Sequence, residues 1–177
     1  MKKIIIKTYQ NKDREASKDI IRDELSVDVQ SLSYNEKGKP YLKDGSFFFN
    51  ISHSRGIIGI AISDSEVGFD LERIKDSTLK YTENVYDKVL NEDDKKHFSK
   101  NIVSIQKVFT IKEAYLKYLG IGLVMDIDNI IIDYENNTVK YHNYGVGYYQ
   151  TFEYCDILFS VVSDSNYEYE IIYKDLS

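Results

Sequence analysis

The sequence predicts an α+β protein in which antiparallel strands flank a helical centre. Three observations carry this. Short β-prone runs cluster before residue 74 and return after residue 126. A long apolar-periodic segment at 102–119 lies between them and is stopped by Gly120 and Gly122. One proline and nine glycines in 177 residues leave no room for a long linker. The length suits one domain, or two small lobes sharing a core.

The elements follow in order. Residues 4–9 read as a first strand and 13–25 as a helix, with Ile20, Ile21 and Leu25 on one face. Residues 29–34 alternate like a half-exposed strand. Asn35-Glu36-Lys37-Gly38 is a turn, and Lys39-Pro40 forces extended chain after it. Strands are expected at 47–52, 57–62 and 67–71, and helices at 79–90, 92–98 and 102–119. Strands then return at 127–134, 138–142, 148–154, 157–162 and 168–173. The segment at 57–65, ending Ser63-Asp64-Ser65, is echoed at 157–165, ending Ser163-Asp164-Ser165. Duplicated lobes related by a pseudo-twofold axis would leave this trace, and so would two hairpins with similar turn chemistry.

A net charge of −6 argues against a nucleic-acid surface, though local lysines still suffice for a phosphorylated ligand. The lone Cys155 has no intrachain partner and suits a reducing compartment. The apolar run after Met1-Lys2-Lys3 is too short for a signal peptide, and no stretch approaches membrane-spanning length. A cytoplasmic protein, bound to neither membrane nor nucleic acid, is expected.

Four segments can do chemistry. In Gly68-Phe69-Asp70-Leu71-Glu72 two carboxylates at i and i+2 of a strand share one face, while Phe69 and Leu71 point into a core. Such a pair is relieved by a hard divalent cation, although a solvated acidic strand has the same pattern. In Phe109-Thr110-Ile111-Lys112-Glu113-Ala114-Tyr115-Leu116-Lys117, Glu113 and Lys117 stand one helical turn apart, as a surface ion pair also would. Phe49-Asn50-Ile51-Ser52-His53-Ser54 offers donors for phosphate oxygens at a strand end. Gly38-Lys39-Pro40-Tyr41 adds a lysine in a rigid turn.

Together, in this order, the four segments resemble the 4′-phosphopantetheinyl transferases of the Sfp type. The matching text is Gly-Lys-Pro-Tyr at 38–41, Phe-Asn-Ile-Ser-His-Ser at 49–54, Val-Gly-Phe-Asp-Leu-Glu-Arg-Ile at 67–74 and Phe-Thr-Ile-Lys-Glu-Ala-Tyr-Leu-Lys at 109–117, with Gly120-Ile121-Gly122-Leu123 following. The resemblance spans about residues 38–132. It implies the transferase-like fold: two pseudo-twofold-related α/β lobes, 1–75 and 76–177, with antiparallel sheets, a long helix and the site between them in a monomer. A trimeric branch of the family carries its Gly-x-Asp motif near the N-terminus, unlike this chain.

The resemblance also implies an activity: Mg²⁺-dependent transfer of the phosphopantetheine arm of coenzyme A to a serine of an apo acyl or peptidyl carrier protein, releasing adenosine 3′,5′-bisphosphate. Mn²⁺ is an expected substitute. Asp70, Glu72 and Glu113 would hold the metal, and Glu113 would take the serine proton. Lys117 would contact phosphate, with help from Lys112. Lys39, Pro40, Asn50, Ser52 and His53 would line the coenzyme A site. The chain departs from the family pattern in a short first lobe, where Lys7, Lys12, Arg14 and Lys18 are the available 3′-phosphate contacts. Phe109 stands where the family has Trp, and Arg55 where it has Gly. Glu92, Asp93 and Asp94 compete for one further acidic position. The segment 119–125 is a candidate carrier-docking patch. Two other classes fit the same carboxylates: a silent relative that only binds coenzyme A or a carrier, and a metal-dependent phosphodiesterase.

Overall fold

The computed structural model describes residues 3–10, 14–74, 88–97, 102–123 and 126–174. The isoleucine run near the N-terminus forms strand β1 (Lys3–Gln10), and the periodic segment after it forms helix α1 (Ser17–Leu25). The Asn35–Gly38 turn joins a small hairpin of β2 (Leu32–Tyr34) and β3 (Pro40–Leu42). Strands β4 (Phe48–Ser54), β5 (Ile57–Ser63) and β6 (Val67–Arg73) follow. After helices α2 (Glu92–His97) and α3 (Ile102–Leu119) come β7 (Ile131–Asp133), β8 (Thr138–Lys140), β9 (Gly147–Tyr154), β10 (Ile157–Ser163) and β11 (Glu168–Lys174).

The strands form two larger sheets, ordered β11-β1-β5-β4 and β6-β10-β9-β8-β7. All pairings are antiparallel except β1 with β11. The expected class is therefore observed, with one parallel pair added. Period-two alternation sorts each strand between two layers. Ile4, Ile6, Ile57, Phe69, Leu71 and Phe159 meet between the sheets. Ile58 and Ile60 face the opposite way, toward Ile20, Ile21 and Leu25 of α1. On the far side of the second sheet, Val162 packs with Val108, Ile111, Tyr115 and Leu116 of α3. The layers run α1, sheet, sheet, α3.

The chain changes sheets twice, between β5 and β6 and again between β10 and β11. These crossovers are the two echoed Ser-Asp-Ser turns. They lie side by side: Ser65 Oγ is 3.5 Å from Asp164 Oδ1 and bonds the Tyr167 hydroxyl.

Two expected strands are shorter than their patterns suggest. Residues 29–31 form a 3₁₀ turn because Asp28 captures the chain: its carbonyl accepts from the Ser31 N–H and its carboxylate from the Gln30 N–H. Residues 127–129 are likewise a 3₁₀ turn, closed by the Ile130 N–H on the Ile127 carbonyl. The expected helix at 79–90 lies outside the described residues apart from its last turn.

Candidate active site

β4 and β6 are edge strands of different sheets, and side chains join them in place of a backbone ladder. Asn50, Ser52 and Ser54 alternate along β4 and so project from one face. Asn50 Oδ1 accepts the Phe69 N–H at 3.1 Å. Ser52 Oγ donates to Asp70 Oδ1 at 2.7 Å, and Ser54 Oγ donates to Glu72 Oε2 at 2.7 Å. Ser54 also accepts the Arg73 N–H at 3.3 Å. The Asn-x-Ser-x-Ser pattern is thus a seam that orients both carboxylates. Ser54, which the sequence offers as a donor for phosphate oxygens, donates to Glu72 instead.

Helix α3 lies directly on this seam. A side chain at Gly68 would collide with the Ala114 carbonyl and the Tyr118 amide, so only glycine admits the helix. The close approach sets Glu113 and Lys117 against Asp70. Lys117 Nζ donates to Asp70 Oδ1 at 2.6 Å and to Ser52 Oγ at 2.9 Å. Asp70 and Glu113 are both buried. Among the described residues, Asp70 Oδ2 and Glu113 Oε1 are the buried side-chain oxygens left without a hydrogen-bond partner. Burial pushes the Glu113 carboxyl up to about 7; the Asp70 charge adds to the rise, Lys117 opposes it and Glu72 adds a little.

Stranded carboxylate oxygens are costly to bury and need a cation or a proton. Oxygen-only donors suit a hard divalent ion. Asp70 and Glu113 present that donor set. Glu72 is turned toward Ser54, and among the described residues no three acidic, histidine or cysteine side chains stand together as a finished metal cage.

A cleft of about 780 Å³ opens over this cluster. Pro40, Asn50, His53, Glu113, Lys117, Arg14, Lys18 and Lys37 line it, whereas Ser52 and Asp70, also expected at the coenzyme A site, are not among its lining residues. The result is a cationic rim on an acidic protein. Burial lowers the His53 pKa, and Arg14 and Lys117 lower it further against the pull of Asp70, which favours the neutral ring. Of the other candidate cations, Lys7 is bonded to Glu24, and Lys12 lies outside the described residues.

One expected contact is corrected. Lys112 does not reach the cleft. Its side chain is wholly buried on the other side of α3, where Nζ donates to Asp94 Oδ2 at 2.7 Å and to the Val89 carbonyl at 2.8 Å. Asp94 is therefore the acidic residue, among the three candidates, that has a buried role. Lys39 lines the cleft, but its ammonium is captured by Glu66 and lies 3.4 Å from the Val67 and Tyr118 carbonyls. The turn before it is locked onto the end of α3: Asn35 Nδ2 donates to the Gly120 carbonyl at 2.8 Å, and Asn35 Oδ1 accepts the Lys37 and Lys39 N–H groups. The Gly-Lys-Pro and Gly-x-Gly motifs are thus two sides of one joint. Arg55 adopts φ 43° beside Gly56 at φ 79° in the β4–β5 hairpin turn, a left-handed position that glycine fills with less strain.

The fold and cluster define a cleft set over two buried carboxylates and a lysine. The chain belongs to the 4′-phosphopantetheinyl transferase superfamily, whose family model matches residues 66–171, more than half of its length. It is 37% identical over 102 residues to the 4′-phosphopantetheinyl transferase gsp of Aneurinibacillus migulanus, covering 56% of this chain and 42% of that protein. It is 31% identical over 119 residues to an L-aminoadipate-semialdehyde dehydrogenase-phosphopantetheinyl transferase of Candida glabrata, covering 62% and 46%. A 4′-phosphopantetheinyl transferase of Bacillus subtilis is 28% identical over 104 residues, covering 58% and 46%. The matches span less than half the length of each relative.

Proposed function

We propose that the chain transfers the 4′-phosphopantetheine group from coenzyme A to a serine hydroxyl of an apo acyl or peptidyl carrier protein. The observation that carries this reading is the buried Asp70–Glu113 pair with Lys117, set beneath a cleft rimmed by Arg14, Lys18 and His53. Arg14, Lys18 and His53 offer the donors a 3′-phosphate needs. Pro40 and the stem of Lys39 form a wall for the adenosine. Asp70 and Glu113, with Glu72 after release from Ser54, would hold Mg²⁺ or Mn²⁺. The ion would supply charge stabilisation to the diphosphate as negative charge builds on the leaving phosphate.

The chain's own groups do the rest. The carrier serine oxygen bonds to the phosphorus on the pantetheine side of the diphosphate. The bond from that phosphorus to the bridging oxygen breaks, and adenosine 3′,5′-bisphosphate leaves. Glu113 takes the serine proton, and its raised pKa suits a base working near neutral pH. Lys117 neutralises the phosphate. The lobes 1–75 and 76–177 would both contribute to the cleft of a single monomer. A cytoplasmic setting would keep the exposed Cys155 reduced.

The test is to incubate the protein with coenzyme A, Mg²⁺ and several apo carriers and weigh each carrier. A gain of one phosphopantetheine is expected, and Glu113→Gln should lower its rate by about 10²–10⁴-fold. No gain with any carrier would leave a silent binder, and coenzyme A cleavage without transfer would mark a phosphodiesterase. Near-normal turnover of Glu113→Gln would remove its role as base.

A further inference from the structure

Lys117 occupies a position that a bound cation would contest. Its ammonium closes a triangle with Asp70 Oδ1 at 2.6 Å and Ser52 Oγ at 2.9 Å, while Ser52 itself donates to Asp70 at 2.7 Å. One carboxylate oxygen of the expected metal site is thus already saturated by charge from within the chain. Among the described residues the opposite oxygen, Asp70 Oδ2, and Glu113 Oε1 have no hydrogen-bond partner. Lys117 also lines the cleft, with its side chain 28% exposed, and among the described residues its ammonium, of three possible bonds, makes only those to Asp70 and Ser52. The same group therefore faces two anions, the buried carboxylate and any phosphate in the cleft. Glu72 is likewise parked on Ser54.

We propose that Lys117 is a tethered counter-ion that exchanges with the metal: it holds Asp70 while the cleft is empty and moves to the diphosphate when coenzyme A and the metal enter. The inference rests on the metal-dependent reading above and adds a coupling to it. A divalent ion arriving alone must share Asp70 with an ammonium 2.6 Å away, at a large Coulombic cost. A diphosphate in the cleft offers Lys117 a better partner and removes that cost. Metal and coenzyme A then bind with positive cooperativity, and by linkage each raises the affinity of the other by the same factor. The site stays closed to metal until substrate is present.

The experiment is Mn²⁺ binding, read by the electron paramagnetic resonance of free Mn²⁺, with and without coenzyme A and with no carrier present. Wild type should bind Mn²⁺ weakly alone and about 10-fold or more tightly with coenzyme A. Lys117→Met should bind Mn²⁺ alone about 10-fold more tightly than wild type and gain little from coenzyme A. Lys117→Gln, which can still hydrogen-bond Asp70, carries the same comparison should the methionine variant misfold. Asp70→Asn should lose Mn²⁺ under both conditions. Equal or weaker Mn²⁺ affinity in the Lys117 variants, with Asp70→Asn still unable to bind, overturns the exchange while leaving the metal reading intact. No Mn²⁺ binding by wild type even with coenzyme A overturns the metal reading, and the exchange with it.

Discussion

Helix α3 carries two lysine–aspartate pairs five residues apart, and they are built to opposite ends. Lys112–Asp94 is sealed: the two side chains are 0% and 1% exposed, and the carboxylate also accepts from the Tyr134 hydroxyl and the Asn91 N–H. Lys112 finds a second acceptor in the Val89 carbonyl. Lys117–Asp70 is open: the lysine reaches the cleft, and one aspartate oxygen has no hydrogen-bond partner among the described residues. The two charges of the sealed pair give up solvent and recover it in hydrogen bonds, which fastens α2 to α3. The open pair is left incomplete beside a second stranded carboxylate. Buried charge that is fully satisfied serves the fold, whereas buried charge left wanting is where a ligand is expected.

The sharpest way to break this comparison is to make the same substitution in both pairs. Asp94→Asn keeps the shape but leaves the Lys112 ammonium buried and uncompensated, at a cost of about 3–5 kcal/mol of folding free energy. Replacing the pair together, Asp94→Leu with Lys112→Met, should recover only part of that, because the Tyr134 hydroxyl and the Asn91 N–H lose their acceptor. Asp70→Asn keeps an acceptor for Ser52 and Lys117 and removes a charge that repels Glu113. It should cost less than about 1 kcal/mol while abolishing transfer. Urea unfolding of the variants decides the matter. Equal losses at positions 94 and 70 would erase the distinction.

Much of this was readable before the structure. The strand alternation correctly sends Phe69 and Leu71 inward and Asp70 toward α3, and the bounds of α3 match its apolar period and its glycine stop. Helical spacing also contained the Lys112 correction: Glu113 and Lys117 are one turn apart, whereas Lys112 is rotated by about 100° from Glu113 and faces elsewhere. Its partner was hidden, because Asp94 lies on another helix and 18 residues away. The capture of Lys39 by Glu66 was hidden for the same reason, at a separation of 27 residues. Arg14 and Lys18 had no motif to mark them, and only tertiary packing of α1 against the first sheet brings them to the cleft.

The open site should also show in the pH dependence of stability without metal. The folded protein holds Glu113 at about 7, against 4.5 for an ordinary glutamate, so the folded state favours the protonated form. Below about 4.5 both states carry the proton and the contribution is full. As pH rises toward 7 the unfolded chain releases the proton more readily, and stability falls by an amount of roughly 3 kcal/mol. Glu113→Gln lacks this loss. In EDTA its stability relative to wild type should therefore grow between pH 4.5 and 7 and level off above, as read by urea unfolding at several pH values. A flat difference would mean that Glu113 is not stranded.

Glu24, which does not line the site cleft, supplies the smallest and opposite effect. Burial opposes its charge, but bonds from Lys174, Lys7 and Tyr9 outweigh burial and hold the carboxyl down at about 2. These bonds tie α1 to β1 and β11, so the charged form belongs to the folded state. The contribution is present above about 4.5 and is lost as pH falls toward 2. Part of the network is open to water, with the Lys174 side chain 40% exposed, and screening reduces the effect to about 1–2 kcal/mol. Glu24→Gln should lower stability by that amount at pH 7 and by almost nothing near pH 2, with transfer activity unchanged. Its stability difference from wild type should therefore shrink on acidification, as that of Glu113→Gln also does, but with the opposite sign: one variant less stable than wild type at neutral pH, the other more stable. The sign separates a carboxylate held by cations from one left without them, and identical signs would show that the two glutamates do not differ in kind.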